Sequence, residues 1–285
     1  MVQKIKDYLA FTKFRLSFTV ILSAVLGYFF VAESDWSGRA LFLISAGGTL
    51  LTCASIGSNQ IWERKHDKQM NRTKDRPLPA GRMSLTEAYI AVAIFLIGGL
   101  YLLYLLNNKT FLLGILAYVS YVFMYTPIKR ISPWAVFMGA IPGALPPLMG
   151  AVAYTDDFTF ETGILFFIQF VWQFPHFWAI AWVAFEDYGR GGFSLLPLRS
   201  NKSKGSAFLI VLYSAFLIPF TLIPWLVGMT GMWSLVVGGA TSILFFLSAY
   251  KLYLTLSDKD AKICMFASFF YLPIVQLVLV LDKIA

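Results

Sequence analysis

Residues 59–82 read NQIWERKHDKQMNRTKDRPLPAGR and lie between two runs of membrane-type sequence. Asn59, Glu63 and Asp67 recur every fourth residue, so on a helix their side chains leave from one face. Asn71, Arg72, Lys74, Arg76 and Arg82 follow in a short polar segment, held close to a lipid surface by the apolar run before it. Acceptor oxygens and cations gathered in this way suit a divalent cation that carries a polyphosphate.

The rest of the chain sets the context. Of its 285 residues, 58% are hydrophobic, 17% aromatic and only 13% charged, which excludes an ordinary soluble globular domain. Apolar stretches of the roughly 20 residues needed to cross a bilayer fall at 14–32, 40–58, 87–107, 110–127, 133–153, 161–184, 206–228, 231–255 and 263–281. The expected fold is therefore all-α, a polytopic membrane protein of about nine transmembrane helices. It is expected to form one domain over residues 1–285, with its functional loops at 59–86 and 185–205. The first span lacks a small-residue cleavage site and is read as retained.

A net charge of +8 raises nucleic acid as a partner, but the placement of the charges speaks against it. With the N-terminus inside, the inner segments hold every lysine and arginine, Arg15 and Arg199 among them, except Arg39, Lys109 and Lys283. That sidedness assigns both long loops and the N-terminus to the cytoplasmic face, and a bacterial cytoplasmic membrane is the expected location. Cys53 and Cys264 stand alone in apolar surroundings and read as packing residues.

The second long loop opens with Glu186 and Asp187 and follows the sixth span, as the first acidic set follows the second. That offset suggests two four-helix halves plus a ninth helix. The fifth span opens at Ser132-Pro133, a cap followed by proline at the first helical position. It continues through Gly139 and Gly143, a G-x-x-x-G pair, and through Pro142, Pro146 and Pro147. Those residues imply either close helix packing at a kink or a backbone opened for a long or flat apolar ligand.

Carboxylates at the edge of lipid are costly unless paired. Glu63 and Asp67 on one helix end, with Glu186 and Asp187 on another, would repel without cations between them. Mg2+ fits, since it takes a few carboxylate oxygens and completes its shell with water and phosphate. The plainer alternative is a surface network of Glu63 and Asp67 with Arg64, Lys68 and Lys74. Arg72, Arg76, Lys129 and Arg130 are the candidates to hold phosphate oxygens. His176 lies inside the sixth span directly after Pro175. Its imidazole is expected to bond either a carbonyl freed by the proline or a substrate, as a hydrogen-bond partner or an axial ligand to a metal macrocycle.

These motifs together resemble the UbiA superfamily of intramembrane prenyltransferases. Its first motif, N-D-x-x-D-x-x-x-D, has its places taken by Asn59, Gln60, Glu63 and Asp67. The substitutions match the haem O synthase branch, N-x-x-x-E-x-x-x-D-x-x-M-x-R-T-x-x-R-P-L-P, through Met70, Arg72, Thr73, Arg76, Pro77, Leu78 and Pro79. Tyr125-Thr126, Lys129-Arg130, Pro146-Pro147-Leu148 and Pro175-His176-Phe177-Trp178 extend the likeness over nearly the whole chain. The resemblance implies transfer of a farnesyl group from farnesyl diphosphate to a vinyl group of haem b with addition of water, giving haem O. It implies Mg2+ on Asn59, Glu63, Asp67, Glu186 and Asp187, diphosphate on Arg72, Arg76, Lys129 and Arg130, and haem at His176. Haem A synthase or terminal-oxidase assembly are the implied protein partners. Two competing expectations are a prenyltransferase acting on an aromatic quinone precursor and a cation-coupled transporter, whose intramembrane acids and broken helices look similar. A haem-carrying assembly factor without catalysis is a further one.

Overall fold

The computed structural model describes residues 2–284; the side chains of Val2, Phe14, Arg15, Arg199 and Ser200 lie outside the described residues, so Arg15 and Arg199 of the basic set are not placed. The described chain is helical, joined by short turns and one isolated bridge between Thr230 and Lys283. Helix α1 (Val2–Phe11) turns into α2 (Phe14–Val31) through a bend of 53°. Then come α3 (Gly38–Asp67), α4 (Leu85–Tyr104), α5 (Asn108–Ile128), α6 (Ala135–Thr155) and α7 (Phe160–Val183). A short α8 (Phe185–Arg190) leads to α9 (Lys204–Leu226), α10 (Ser234–Thr255) and α11 (Asp258–Leu281). Eight of these are long and apolar enough to cross a membrane, and the bent pair α1 and α2 makes up to nine.

Starts are set locally: Ser37, Ser84, Asn107, Thr159, Ser203 and Ser257 each accept the backbone N–H three residues on. Ser132 does not cap α6. Its hydroxyl accepts the Trp134 N–H at 3.2 Å within a turn, and the helix begins at Ala135. The outward faces carry large apolar side chains such as Ile97, Leu244 and Phe270, as lipid contact requires.

Helix α6 lies at the centre, packed by α2, α5 and α7. Its prolines remove N–H donors, and Pro147 thereby frees the carbonyl of Gly143. Gln169 on α7 supplies the missing donor, its Nε2 reaching Gly143 O at 2.6 Å, while Gln173 Nε2 reaches Ala140 O at 3.0 Å. Gln169 Oε1 accepts in turn from Ser23 Oγ at 2.6 Å and Gln276 Nε2 at 2.7 Å. One amide thus ties α2, α6, α7 and α11 in the apolar interior, where an unmade polar bond is expensive.

The G-x-x-x-G pair packs closely against side chains of the neighbouring helices. Gly139 makes room for the Tyr125 ring and Gly143 for the Gln173 amide. The close approach of two backbones occurs instead between α2 and α6, where Gly27 meets Pro147 and Gly150 meets Ala24. A Cβ on Gly150 would overlap the Ala24 carbonyl, whereas one on Gly163 meets open space. Gly150→Ala is therefore expected to cost about 1–3 kcal/mol by overpacking and to lower the melting temperature in detergent, with Gly163→Ala close to unchanged. Equal melting of the two would remove the α2–α6 contact from the account.

Candidate active site

Helix α3 spans thirty residues, longer than a membrane crossing needs, and its last turns project Asn59, Glu63 and Asp67 from one face. All three are buried, Asp67 completely. Buried carboxylates need partners, and each finds one cation. Glu63 pairs with Lys129 at the end of α5, and Asp67 Oδ2 receives Arg76 Nη1 at 2.7 Å. The surface network with Arg64, Lys68 and Lys74 is not formed: Arg64 donates to the Ile61 carbonyl instead. The second oxygen of Asp67, Oδ1, is buried without any hydrogen-bond partner.

The loop after α3 is folded back by its own motif. Thr73 Oγ1 donates to the Asp67 carbonyl at 2.9 Å, and the Pro77 carbonyl accepts the N–H groups of Arg82 and Met83. Arg76 is thereby returned to Asp67 nine residues earlier. Arg82 is spent elsewhere, on Asp7 of α1 at 2.8 Å, which holds the Asp7 carboxyl below the usual carboxylate range.

Opposite Asn59, α5 widens into a π-helical segment, Ser120–Tyr125, a distortion common at functional sites. Thr126 gives its hydroxyl proton to the Tyr121 carbonyl at 2.9 Å, so it accepts from Asn59 Nδ2 at 3.1 Å. That fixes the Asn59 amide and leaves its Oδ1 for another donor or a cation. The Lys129 ammonium lies 5.2 Å from the centre of the Tyr125 ring and 5.0 Å from that of Phe193, while Tyr121 and Tyr125 sit 5.3 Å apart.

The second acidic pair divides. Both oxygens of Asp187 accept backbone N–H groups, from Asn71 at 2.8 Å and Arg72 at 3.3 Å, clamping the loop turn to α8. The Glu186 side chain is 86% exposed and, among the described residues, pairs with Arg190 alone, at 4.0 Å. Neighbours on a helix point about 100° apart, so only one of the two can face the loop. Among the described residues no three His, Cys, Asp or Glu side chains converge on a possible metal position. Of the expected five residues, Asn59, Glu63 and Asp67 share one helix face, while Asp187 meets the loop and Glu186 faces solvent. Those three fit a hard cation by chemistry: oxygen donors on one helix face, one of them a buried carboxylate oxygen still without a partner.

Among the basic candidates, Arg76 and Lys129 reach the cluster. Arg72 lies over Tyr188 at 5.3 Å, and Arg130 is exposed. His176 is buried, stacked on Trp172 at 4.3 Å with Phe269 edge-on at 4.8 Å. Its Nδ1 is 2.7 Å from Ser268 Oγ on α11, a partner on another helix rather than a carbonyl freed by Pro175. Ser268 donates its proton to the Met265 carbonyl at 2.6 Å, so Nδ1 carries the imidazole proton and Nε2 keeps its lone pair. Sequence reasoning gave no role to the hydroxyls of Thr126 and Ser268: Thr126 entered only through the Tyr125-Thr126 likeness, and Ser268 had no signal beyond a polar side chain in an apolar span.

The model of the UbiA prenyltransferase family matches residues 20–272. The chain is 45% identical to a protoheme IX farnesyltransferase of Cytophaga hutchinsonii over the whole of both chains. It is 43% identical to one of Christiangramia forsetii, covering 98% of this chain and 94% of that one. A UbiA homolog from Archaeoglobus fulgidus bound to GPP and Mg2+ has the same fold, with a TM-score of 0.74 at 16% identity over 96% of this chain and 99% of that one. A digeranylgeranylglyceryl phosphate synthase reaches 0.83 at 20% identity, covering 98% of each chain. From the α3 motif to the prolines of α6 and α7, the chain belongs to the UbiA prenyltransferase family.

Proposed function

We propose that the chain is an integral membrane protohaem IX farnesyltransferase that joins the farnesyl group of farnesyl diphosphate to a vinyl group of haem b, with addition of water, to give haem O. The buried face of Asn59, Glu63 and Asp67, with cations Arg76 and Lys129 against it, carries the donor half of this reading. The full-length relatives, named protoheme IX farnesyltransferases, support the acceptor.

The chemistry breaks the allylic C–O bond of the donor, so negative charge grows on diphosphate and positive charge on the farnesyl carbon. Bound Mg2+, held by Asn59, Glu63 and Asp67, would neutralise the departing diphosphate. Arg76 and Lys129 exchange their carboxylate partners for phosphate oxygens as that charge develops. Arg72 joins them from the loop turn that Asp187 holds in place. The Tyr125 face, which already meets the Lys129 ammonium, suits a carbocation. Attack by the vinyl group moves the positive charge beside the porphyrin, where water adds and gives up a proton. His176 presents the Nε2 lone pair to haem iron, and exposed Arg130 is left for a propionate. In this reading residues 1–285 form one domain, with the N-terminus and the loops at 59–86 and 185–205 on the cytoplasmic side of a bacterial membrane. The product passes to haem A synthase or oxidase assembly. Transport fits less well, because the buried acids of the site gather at one end of the bundle.

Purified protein given farnesyl diphosphate, haem b and Mg2+ is expected to form a product with the mass of haem O. Product formed only with a phenolic acid would contradict the haem assignment. Removal of divalent ions by a chelator should stop turnover, and added Mg2+ should restore it. Asp67→Asn is expected to lower turnover about 100-fold or more, the scale of losing one electrostatic contact to the transition state, while the protein still binds haem. For the acceptor side, His176→Ala should change the haem absorption spectrum and weaken haem binding, leaving pyrophosphate affinity intact; an unaltered spectrum would remove His176 as a haem contact.

A further inference from the structure

Lys13 stands at the corner between α1 and α2 with φ 45° and ψ 54°, a left-handed conformation uncommon for a residue other than glycine. Such a conformation persists when its surroundings impose it, and here they do. Phe11 is fully buried against Gly57, where a Cβ would come within 2.8 Å of its ring. Gln60 Nε2 donates to the Phe11 carbonyl at 2.5 Å, and on the other side the Leu16 and Ser17 N–H groups donate to the Lys13 carbonyl at 2.8 and 3.2 Å. Ion pairs from Arg82 to Asp7 and from Lys4 to Glu87 moor α1 itself. The corner is thus fastened to α3 one turn before Glu63.

The electrostatic surroundings of the Lys13 ammonium are Arg76, Lys129, Arg72 and Glu63. Glu63 and Asp67 are paired with Lys129 and Arg76, so among the described residues Lys13 has no ion-pair partner. Lys13, Arg72, Arg76 and Lys129 outnumber Glu63, Asp67 and the Asp187 that accepts from the Arg72 N–H, and the excess suits a polyanion.

We propose that Lys13 is a further diphosphate-binding residue of this site, and that Gln60 is the positioning residue that holds the α1–α2 corner from which Lys13 reaches it. This rests on the reading of the site as one that takes a prenyl diphosphate. The Gln60 amide acts through its N–H donor, so a carboxylate of nearly the same shape cannot replace it.

Calorimetric titration of the purified full-length protein with pyrophosphate in Mg2+ tests both parts. Lys13→Met is expected to weaken pyrophosphate about ten- to a hundredfold, the scale of a hydrogen bond to a charged group, and Lys13→Arg to recover most of that loss. Gln60→Glu should weaken pyrophosphate in the native background and add nothing in the Lys13→Met background, as a residue acting through Lys13 must. Haem binding and melting temperature, followed in each variant, separate these effects from a folding defect. Unchanged affinity in Lys13→Met would overturn the role of Lys13 while leaving the diphosphate reading intact. Additive losses in the double variant would overturn the role of Gln60. If the unaltered protein does not bind pyrophosphate, the diphosphate reading falls and this inference with it.

Discussion

Two buried carboxylates at the end of α3 govern the rest of this structure. Removed from water, Glu63 and Asp67 demand positive charge, and the chain supplies it from separate places: Lys129 from the end of α5 and Arg76 from the loop. Each supply line needs its own fold. The loop returns Arg76 only because Thr73 and Met70 are tied to the Asp67 carbonyl, and α5 offers Thr126 and Lys129 only after its π-helical turns. The cations that stabilise the resting site are the ones a diphosphate would recruit, so binding becomes an exchange of partners with little reorganisation.

A second constraint lies deeper. Three prolines in α6 leave carbonyls that lipid cannot satisfy, and the glutamines of α7 answer two carbonyls of that helix. Gln169 extends the same hydrogen bonding to Ser23 and Gln276. Four helices are thereby fixed around the proline-bearing α6. The rings of Phe137, Phe170 and Phe174 follow one another at 5.8 and 5.4 Å, an aromatic row that runs from the exposed Phe137 to the buried Phe174.

Spacing made much of this legible. Apolar run length located the spans, and the four-residue recurrence of Asn59, Glu63 and Asp67 put them on one face, because both depend only on the geometry of a single helix. What depends on a neighbour was not legible. Glu186 and Asp187 looked equivalent, yet the direction of α8 sends one to solvent and the other to the loop. The partner of His176 proved to be Ser268, ninety-two residues away. Gly139 and Gly143 pack against side chains, Tyr125 and Gln173, while the backbone-to-backbone approach falls at Gly27 and Gly150. Lys13 looked like one more charge setting topology, since nothing in its local sequence announces a left-handed corner.

The central claim is that the free oxygen of Asp67 receives a divalent ion that carries the diphosphate. Anomalous diffraction from crystals holding Mn2+ and a non-hydrolysable analogue of farnesyl diphosphate tests it most directly. The account predicts a metal peak about 2.0–2.3 Å from the Asp67 carboxylate, shared with phosphate oxygens that also touch Arg76 and Lys129. A peak held by Glu186 on α8, with Asp67 still bound only to Arg76, would contradict it.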